Sequence, residues 1–131
     1  MGILNVTPDS FSDGGQTMDQ ESIQKIVYDM ESGGVDIIDI GGESTRPGAD
    51  PVPVSVELDR VIPAIQAVRA ISSIPISIDT TKGEVARAAL EAGANMINDV
   101  SAGQRDPAML SLAASKHVPV RVFNVLCTDS E

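Results

Sequence analysis

The sequence predicts an α/β chain built on a parallel sheet in the order βαβαβαβαβ, and three observations carry that prediction. Five short apolar runs each end in a polar residue. Between them lie segments with apolar residues at helical spacing, giving about 30 residues per βα unit. Part of one unit is also written twice: Glu31-Ser-Gly-Gly-Val-Asp-Ile-Ile-Asp-Ile40 returns 60 positions later as Glu91-Ala-Gly-Ala-Asn-Met-Ile-Asn-Asp-Val100. That phrase reads as a helix end, a glycine break and a buried strand. It puts Asp39 and Asp99 at equivalent places beside strand C-termini, the edge where folds of this kind do chemistry. Right-handed crossovers then place the helices outside a sheet whose near-continuous apolar strands are buried on both faces.

The elements follow in order. Gly2–Val6 reads as strand one, followed by the polar loop Thr7–Thr17. Thr17-x-x-Gln20 could form a capping box, and Ile23, Ile26, Val27 and Met30 continue at helical spacing until Gly33-Gly34 stops the helix. Val35–Ile40 is strand two, and Gly41–Pro53 is a long Gly/Pro-rich loop. Leu58, Val61, Ile62, Ile65 and Val68 trace the next helix, which Pro63 should kink. Pro75–Asp79 is strand three. Thr81-x-x-Glu84 forms a capping box for a helix whose buried face is Val85, Ala88, Ala89 and Ala92, with Gly93 as its break. Asn95–Val100 is strand four. Asp106-Pro107 supplies an N-cap with proline at the first helical position, and that helix runs to about Ser115. His117–Leu126 is strand five, and Cys127–Glu131 trails off polar. No segment resembles a linker, so residues 1–131 read as one domain.

Composition narrows the function. The 131 residues are 42% apolar but only 2% aromatic, so the core must be aliphatic. A net charge of −10 and pI ≈ 4.3 leave no basic stripe for nucleic acid. An anionic ligand therefore needs a local helix N-terminus, an arginine or a metal ion. The single cysteine, Cys127, rules out an internal disulfide. There is no signal-peptide pattern and no apolar run near 18 residues, so the expectation is a soluble, cytoplasmic chain without a membrane partner.

Four strands deliver polar groups to one edge: Asn5, Asp39, Asp79 and the pair Asn98-Asp99. One such residue would be an ordinary turn former. Four in succession, with Asp36, Asp39 and Asp99 lying within otherwise buried strands, need partners, a metal or a ligand. A rim of carboxylates and carboxamides suits a flat heterocycle bearing several N–H donors. In the first loop, Phe11 either staples the loop down or stacks on a ring-shaped ligand. The second loop, Gly41-Gly-Glu-Ser-Thr-Arg-Pro-Gly48, either wraps an anion with backbone N–H groups and Arg46 or is a solvated surface loop. It lacks the spacing of a P-loop. Lys82 falls in the first turn of a helix, where the dipole disfavours a cation, and so either serves a local purpose or faces solvent. His117 is expected to be structural, and Cys127 has no partner for nucleophilic catalysis. Any divalent ion would be oxygen-bound, with Mg²⁺ shared with substrate phosphates the natural choice.

Gly2-Ile-Leu-Asn-Val-Thr-Pro-Asp-Ser-Phe-Ser-Asp-Gly-Gly15 and Gly33–Pro47 resemble the two signature segments of the dihydropteroate synthase family, and Ser77-Ile-Asp-Thr80 and Ile97-Asn-Asp-Val100 match further family segments. The likeness runs from Gly2 to about Pro119. It implies a (β/α)8 barrel and a step of folate synthesis, in which p-aminobenzoate displaces diphosphate from hydroxymethyl-dihydropterin diphosphate with the help of Mg²⁺. By matching motif, Asn5 would contact the Mg²⁺, and Asp79 and Asn98 would hydrogen-bond the pterin with Asp99 supporting the pocket. Thr45 would touch the diphosphate side. Phe11, Arg46 and Pro47 would help form the p-aminobenzoate site, where sulfonamides also bind. The full-length family member is expected to be a homodimer.

The chain also departs from that family. A closed barrel needs roughly 250 residues. The later Asp and Lys of the pterin pocket and the phosphate-binding Arg-x-His are missing, and residues 121–131 read as a divergent tail. The expectation is therefore a single truncated pterin-binding domain, about five strands and four helices of a barrel, inactive by itself. Such a piece should expose a sheet edge and a wide apolar inner face. Its rivals are a non-catalytic pterin-binding module and a half-barrel that works by pairing with another half.

Overall fold

The computed structural model of the chain describes residues 2–6, 20–43, 52–99 and 106–121. Burial alternates along the first strand, whereas the next two are buried along nearly their whole length. Leu4, Ile38, Ile40, Ile76, Ile78 and Ile97 are buried, whereas Ile3 and Asn5 beside Leu4 are exposed. A period of two marks a strand with different environments on its two faces. Five strands result: β1 (Gly2–Asn5), β2 (Ile38–Gly41), β3 (Ile76–Asp79), β4 (Met96–Asn98) and β5 (Val120–Arg121). They pair in the order β1-β2-β3-β4-β5, every pair parallel. The first three strands are each shorter than the apolar run suggests. Asp36, expected inside β2, lies ahead of it and is exposed, so it needs no buried partner.

The helices are α1 (Gln20–Ser32), α2 (Val54–Arg69), α3 (Gly83–Ala92) and α4 (Ala108–Lys116). Each packs against the next, so they form one layer over one face of the sheet. The core lies between the two layers. Strand isoleucines meet Ile23 and Val27 of α1, Val61, Ile65 and Val68 of α2, and Val85 and Ala89 of α3. Each large buried aliphatic side chain contributes roughly 1.5–3 kcal/mol. Tyr28, the aromatic among the described residues, is exposed and stays out of this cluster. The opposite face carries Ile3, Asn5, Asp39, Ser77, Asp79, Met96 and Asn98 by alternation, so it is mostly polar and not the apolar face expected from an opened barrel.

Helix ends follow the sequence in part. Gly33 and Gly93 end α1 and α3, and Gly93 holds φ at 131°, a value that favours glycine. The helix expected to kink at Pro63 runs unbroken from Val54 to Arg69. Pro63 and the preceding-turn residue Asp59 are both exposed, which lets water take the freed carbonyl. The capping box at Thr81-x-x-Glu84 does not form. Lys82 is the N-cap of α3, and the Gly83 amide donates to Asp106 Oδ2 at 2.6 Å. Asp106 also accepts from the Ala108 amide at 3.1 Å, so it caps α4 as expected while bolting α3 to α4. His117, in the left-handed conformation at φ 56°, closes α4, which is the structural role expected of it.

Arg69 joins the end of α2 to the starts of β3 and β4. Its guanidinium donates to the carbonyls of Gly93 at 2.8 Å and Ile74 at 2.6 Å, and to Asn95 Oδ1 at 2.7 Å. Asn95 Oδ1 in turn accepts the Ile76 amide at 2.8 Å. Burial holds the guanidinium pKa below its ordinary value, yet every donor still faces an acceptor. Replacing Arg69 with Ala should lower stability by about 2–4 kcal/mol, read as a fall in Tm, because it strands acceptors from two elements at once.

Candidate functional site

The ladders set the site. Asn5 pairs with Gly41, Gly41 with Asp79, and Asp79 with Asn98, so four consecutive strands end in one row. Paired strands lie roughly 4.8 Å apart, and all four residues have the parity of the face turned away from the helices. The row is thus a flat shelf of carboxamide, gap, carboxylate and carboxamide. Glycine makes the gap: a Cβ at Gly41 would stand 3.2 Å from both Cβ and Oδ2 of Asp79. Asn5 is exposed, Asp79 half-buried and Asn98 buried.

A second row lies two residues back along the same face, running Ile3, Asp39, Ser77 and Met96. Asp39 is buried, and its Oδ1 accepts the Ser77 hydroxyl at 2.5 Å and Asn98 Nδ2 at 3.2 Å. That bond orients the Asn98 amide, pointing its nitrogen at Asp39 and its oxygen elsewhere. Asp39, Ser77 and Asn98 therefore form one buried network beneath the shelf, and Ser77 is a member that sequence reasoning missed. The internal repeat had made Asp39 and Asp99 equivalent. The ladder instead sets Asp39 level with Met96, and buried Asp99 lies just past the last paired residue of β4.

Charge concentrates around Asp79. Its own burial, then the charges of Asp39, Glu57, Asp99 and Glu43, push its carboxyl up to about 7 from an ordinary 3.8. Lys82 is the nearby cation. Its Nζ donates to Glu57 Oε1 at 2.8 Å and to Glu43 Oε2 at 3.1 Å. Burial pulls its ammonium pKa down, but those two bonds outweigh the burial and hold it above the ordinary value. The local purpose considered for Lys82 is therefore this pairing. Glu57, wholly buried on α2, was not anticipated. Its signal was present, since it stands four residues before Val61 on the apolar stripe of that helix.

Of the residues given a role by motif, Asn5, Asp79 and Asn98 share the row, and Asp99 lies close enough for its charge to raise Asp79. Phe11, Thr45, Arg46 and Pro47 lie outside the described residues. Two grooves among the described residues sit between helices, one lined by Ile23 and Gln66, the other by Leu58 and Arg87, both away from the strand edge. No described helix is long and apolar enough to cross a membrane. Chemically the shelf offers hydrogen-bond acceptors and donors in a plane, and it fits recognition of a flat N–H-bearing ring better than nucleophilic attack.

The raised Asp79 has a consequence for stability. The folded state holds a proton that the unfolded chain releases near pH 3.8, so this residue's contribution falls as pH rises from about 4 to about 7 and levels off above. Asp79→Asn should therefore raise Tm at about pH 8, with the gain shrinking to nothing near pH 4. Thermal melts of both chains across that range check it.

Comparison with known proteins agrees with the fold. The pterin binding enzyme family matches residues 1–129. A dihydropteroate synthase from Synechocystis sp. is 52% identical over 125 residues, covering 95% of this chain and 43% of the relative. Among solved structures, Xanthomonas albilineans dihydropteroate synthase with 4-aminobenzoic acid is 54% identical with a TM-score of 0.82, covering 91% of this chain and 44% of that one. The Clostridium difficile dihydropteroate synthase, solved in the presence of pteroic acid, is 49% identical with a TM-score of 0.85, covering 91% and 45%. The chain thus spans less than half the length of these relatives, and its sheet and helices are part of a (β/α)8 barrel. A family match running through every described element settles the kinship: this chain belongs to the pterin binding enzyme family.

Proposed function

We propose that this chain carries the pterin-recognising part of a dihydropteroate synthase site. The observation that supports it is the single row Asn5-Gly41-Asp79-Asn98, in a chain about half identical to enzymes of that name. In the reaction, the amine of p-aminobenzoate attacks the methylene carbon of hydroxymethyl-dihydropterin diphosphate. A C–N bond forms, the C–O bond to diphosphate breaks, and the amine loses a proton. Ionised Asp79 accepts from the N–H groups of the pterin ring, and Asn98, oriented by Asp39, adds a carboxamide beside it. Asp99 supports the same pocket from behind β4. By motif alone, Thr45 is assigned to the diphosphate side and Phe11, Arg46 and Pro47 to the p-aminobenzoate site, which sulfonamides would share. Catalysis is then mainly orientation and stabilisation of leaving-group charge.

The described donor set bears on the metal. No group of three His, Cys, Asp or Glu side chains is gathered among the described residues. Asn5, exposed at the end of β1, offers one amide oxygen, which fits a Mg²⁺ that keeps most of its water and phosphate oxygens. Asn5 would hold it there, and the ion would offset charge on the departing diphosphate.

Two experiments test this reading. Calorimetry should show pteroic acid binding to the 131-residue chain, weakened about tenfold or more in Asp79→Asn because an acceptor oxygen becomes an N–H₂. Affinity in the parent chain should rise as pH passes about 7, where Asp79 ionises. Equal affinity for both chains would remove Asp79 from the site. The second is turnover. A polypeptide of these 131 residues, with 43% of the Synechocystis relative's length, should form no dihydropteroate in a coupled assay. Product formation by the purified chain would overturn that.

A further inference from the structure

Glu57 is wholly exposed to the cost of burial: its side chain is 0% solvent-accessible, on the core side of α2. Such a carboxylate needs a partner. Oε1 accepts Lys82 Nζ at 2.8 Å, whereas Oε2, equally buried, has no hydrogen-bond partner among the described residues. Lys82 reaches it from the N-cap of α3, where a cation is disfavoured and where its side chain caps nothing. The same ammonium meets Glu43 Oε2 at 3.1 Å, and that oxygen also accepts the Val52 amide at 3.0 Å. Two successive βα units are thereby joined at one nitrogen, the β2–α2 unit through both its glutamates and the β3–α3 unit through Lys82.

The turn after β2 is fixed from its other side as well. Arg60 Nη1 donates to the Gly42 carbonyl at 2.8 Å, and a Cβ at Gly42 would come within 2.9 Å of Val61 Cγ1. The backbone lies so close to α2 that only glycine fits. Stability alone does not explain the charged trio. Well-packed aliphatic side chains at 57 and 82 would serve as well or better than a buried ion pair. Two carboxylates on one ammonium also leave a negative excess beside Asp79. The trio's yield is geometric.

We propose that Lys82 is a positioning residue: by joining Glu43 to Glu57 it holds the Gly41–Glu43 turn, and through Glu43 the backbone at Val52, in place beside the strand-edge row. Its functional meaning rests on the proposed function, because Glu43 and Val52 flank positions 44–51, which include Thr45, Arg46 and Pro47.

Amide exchange followed by NMR on the 131-residue chain tests it. Lys82→Met alone should destabilise the fold, since it leaves Glu57 buried and unpaired. Lys82→Met combined with Glu57→Leu should restore Tm. In that double variant the Val52 amide should nevertheless exchange about tenfold faster or more than in the parent, while Ile78 in β3 exchanges at the parent rate. Lys82→Arg, which keeps the cation, should keep Val52 protected. Parent-like protection of Val52 in the double variant overturns the proposal. So does faster exchange shared equally by Ile78, which would mean general loosening. Pteroic acid calorimetry on parent and Asp79→Asn separately decides the pterin reading, and equal heats there leave the exchange result standing.

Discussion

The parallel ladder register is the constraint on which the rest of the molecule depends. Side chains on a strand alternate with a period of two, so a slip of one residue at any pair would turn that strand's polar group under the helices and bring an isoleucine to the shelf. Apart from Gly2, the helix-facing strand positions are aliphatic, and Ile38, Ile40, Ile76, Ile78 and Ile97 are fully buried. The aliphatic core thus enforces the placement of Asn5, Asp79 and Asn98 without touching them. The strand-edge chemistry is a by-product of packing on the other side of the sheet.

Acidity in the shelf is a balance and not a simple gain. Burial and then four neighbouring carboxylates raise the pKa of Asp79, and a chain carrying −10 overall lends no field that would draw a diphosphate. Lys82 offsets part of this locally, at the cost of burying Glu57. The Asp39–Ser77–Asn98 network adds hydrogen bonds that orient an amide in a dry setting, where an unpaired group would be expensive. Polar groups retained beneath an aliphatic sheet make sense as orientation for a ligand, since they do little for the core.

Much of this was legible in the sequence. Helical spacing located α1, α2 and α3, the Asp106-Pro107 pair located α4, and the polar residues closing the apolar runs located the row. What escaped depends on contacts between residues far apart in the chain. The capping box at Thr81 looked complete, but Asp106, 23 residues beyond Gly83, supplies the acceptor to the start of α3. The repeat equated Asp39 with Asp99, but the ladder runs Asp39 to Ser77 to Met96, so equal places in two units are not level in the sheet. Glu57 was hidden inside an apolar stripe that it interrupts, and its partner stands 25 residues away. Phe11, Thr45, Arg46 and Pro47 were legible only by motif, because the sequence around them has no apolar periodicity to place them.

The central claim is that one face of the strand edge, and no groove between helices, receives a pterin. NMR chemical-shift mapping during titration with pteroic acid tests this most directly. The side-chain amide signals of Asn5 and Asn98 and the backbone amide of Asp79 should move together and saturate with one constant. Shifts centred instead on Gln66 and Ile23, or on Arg87 and Leu58 in the helix layer, with the Asn5 and Asn98 amides unmoved, would contradict the account.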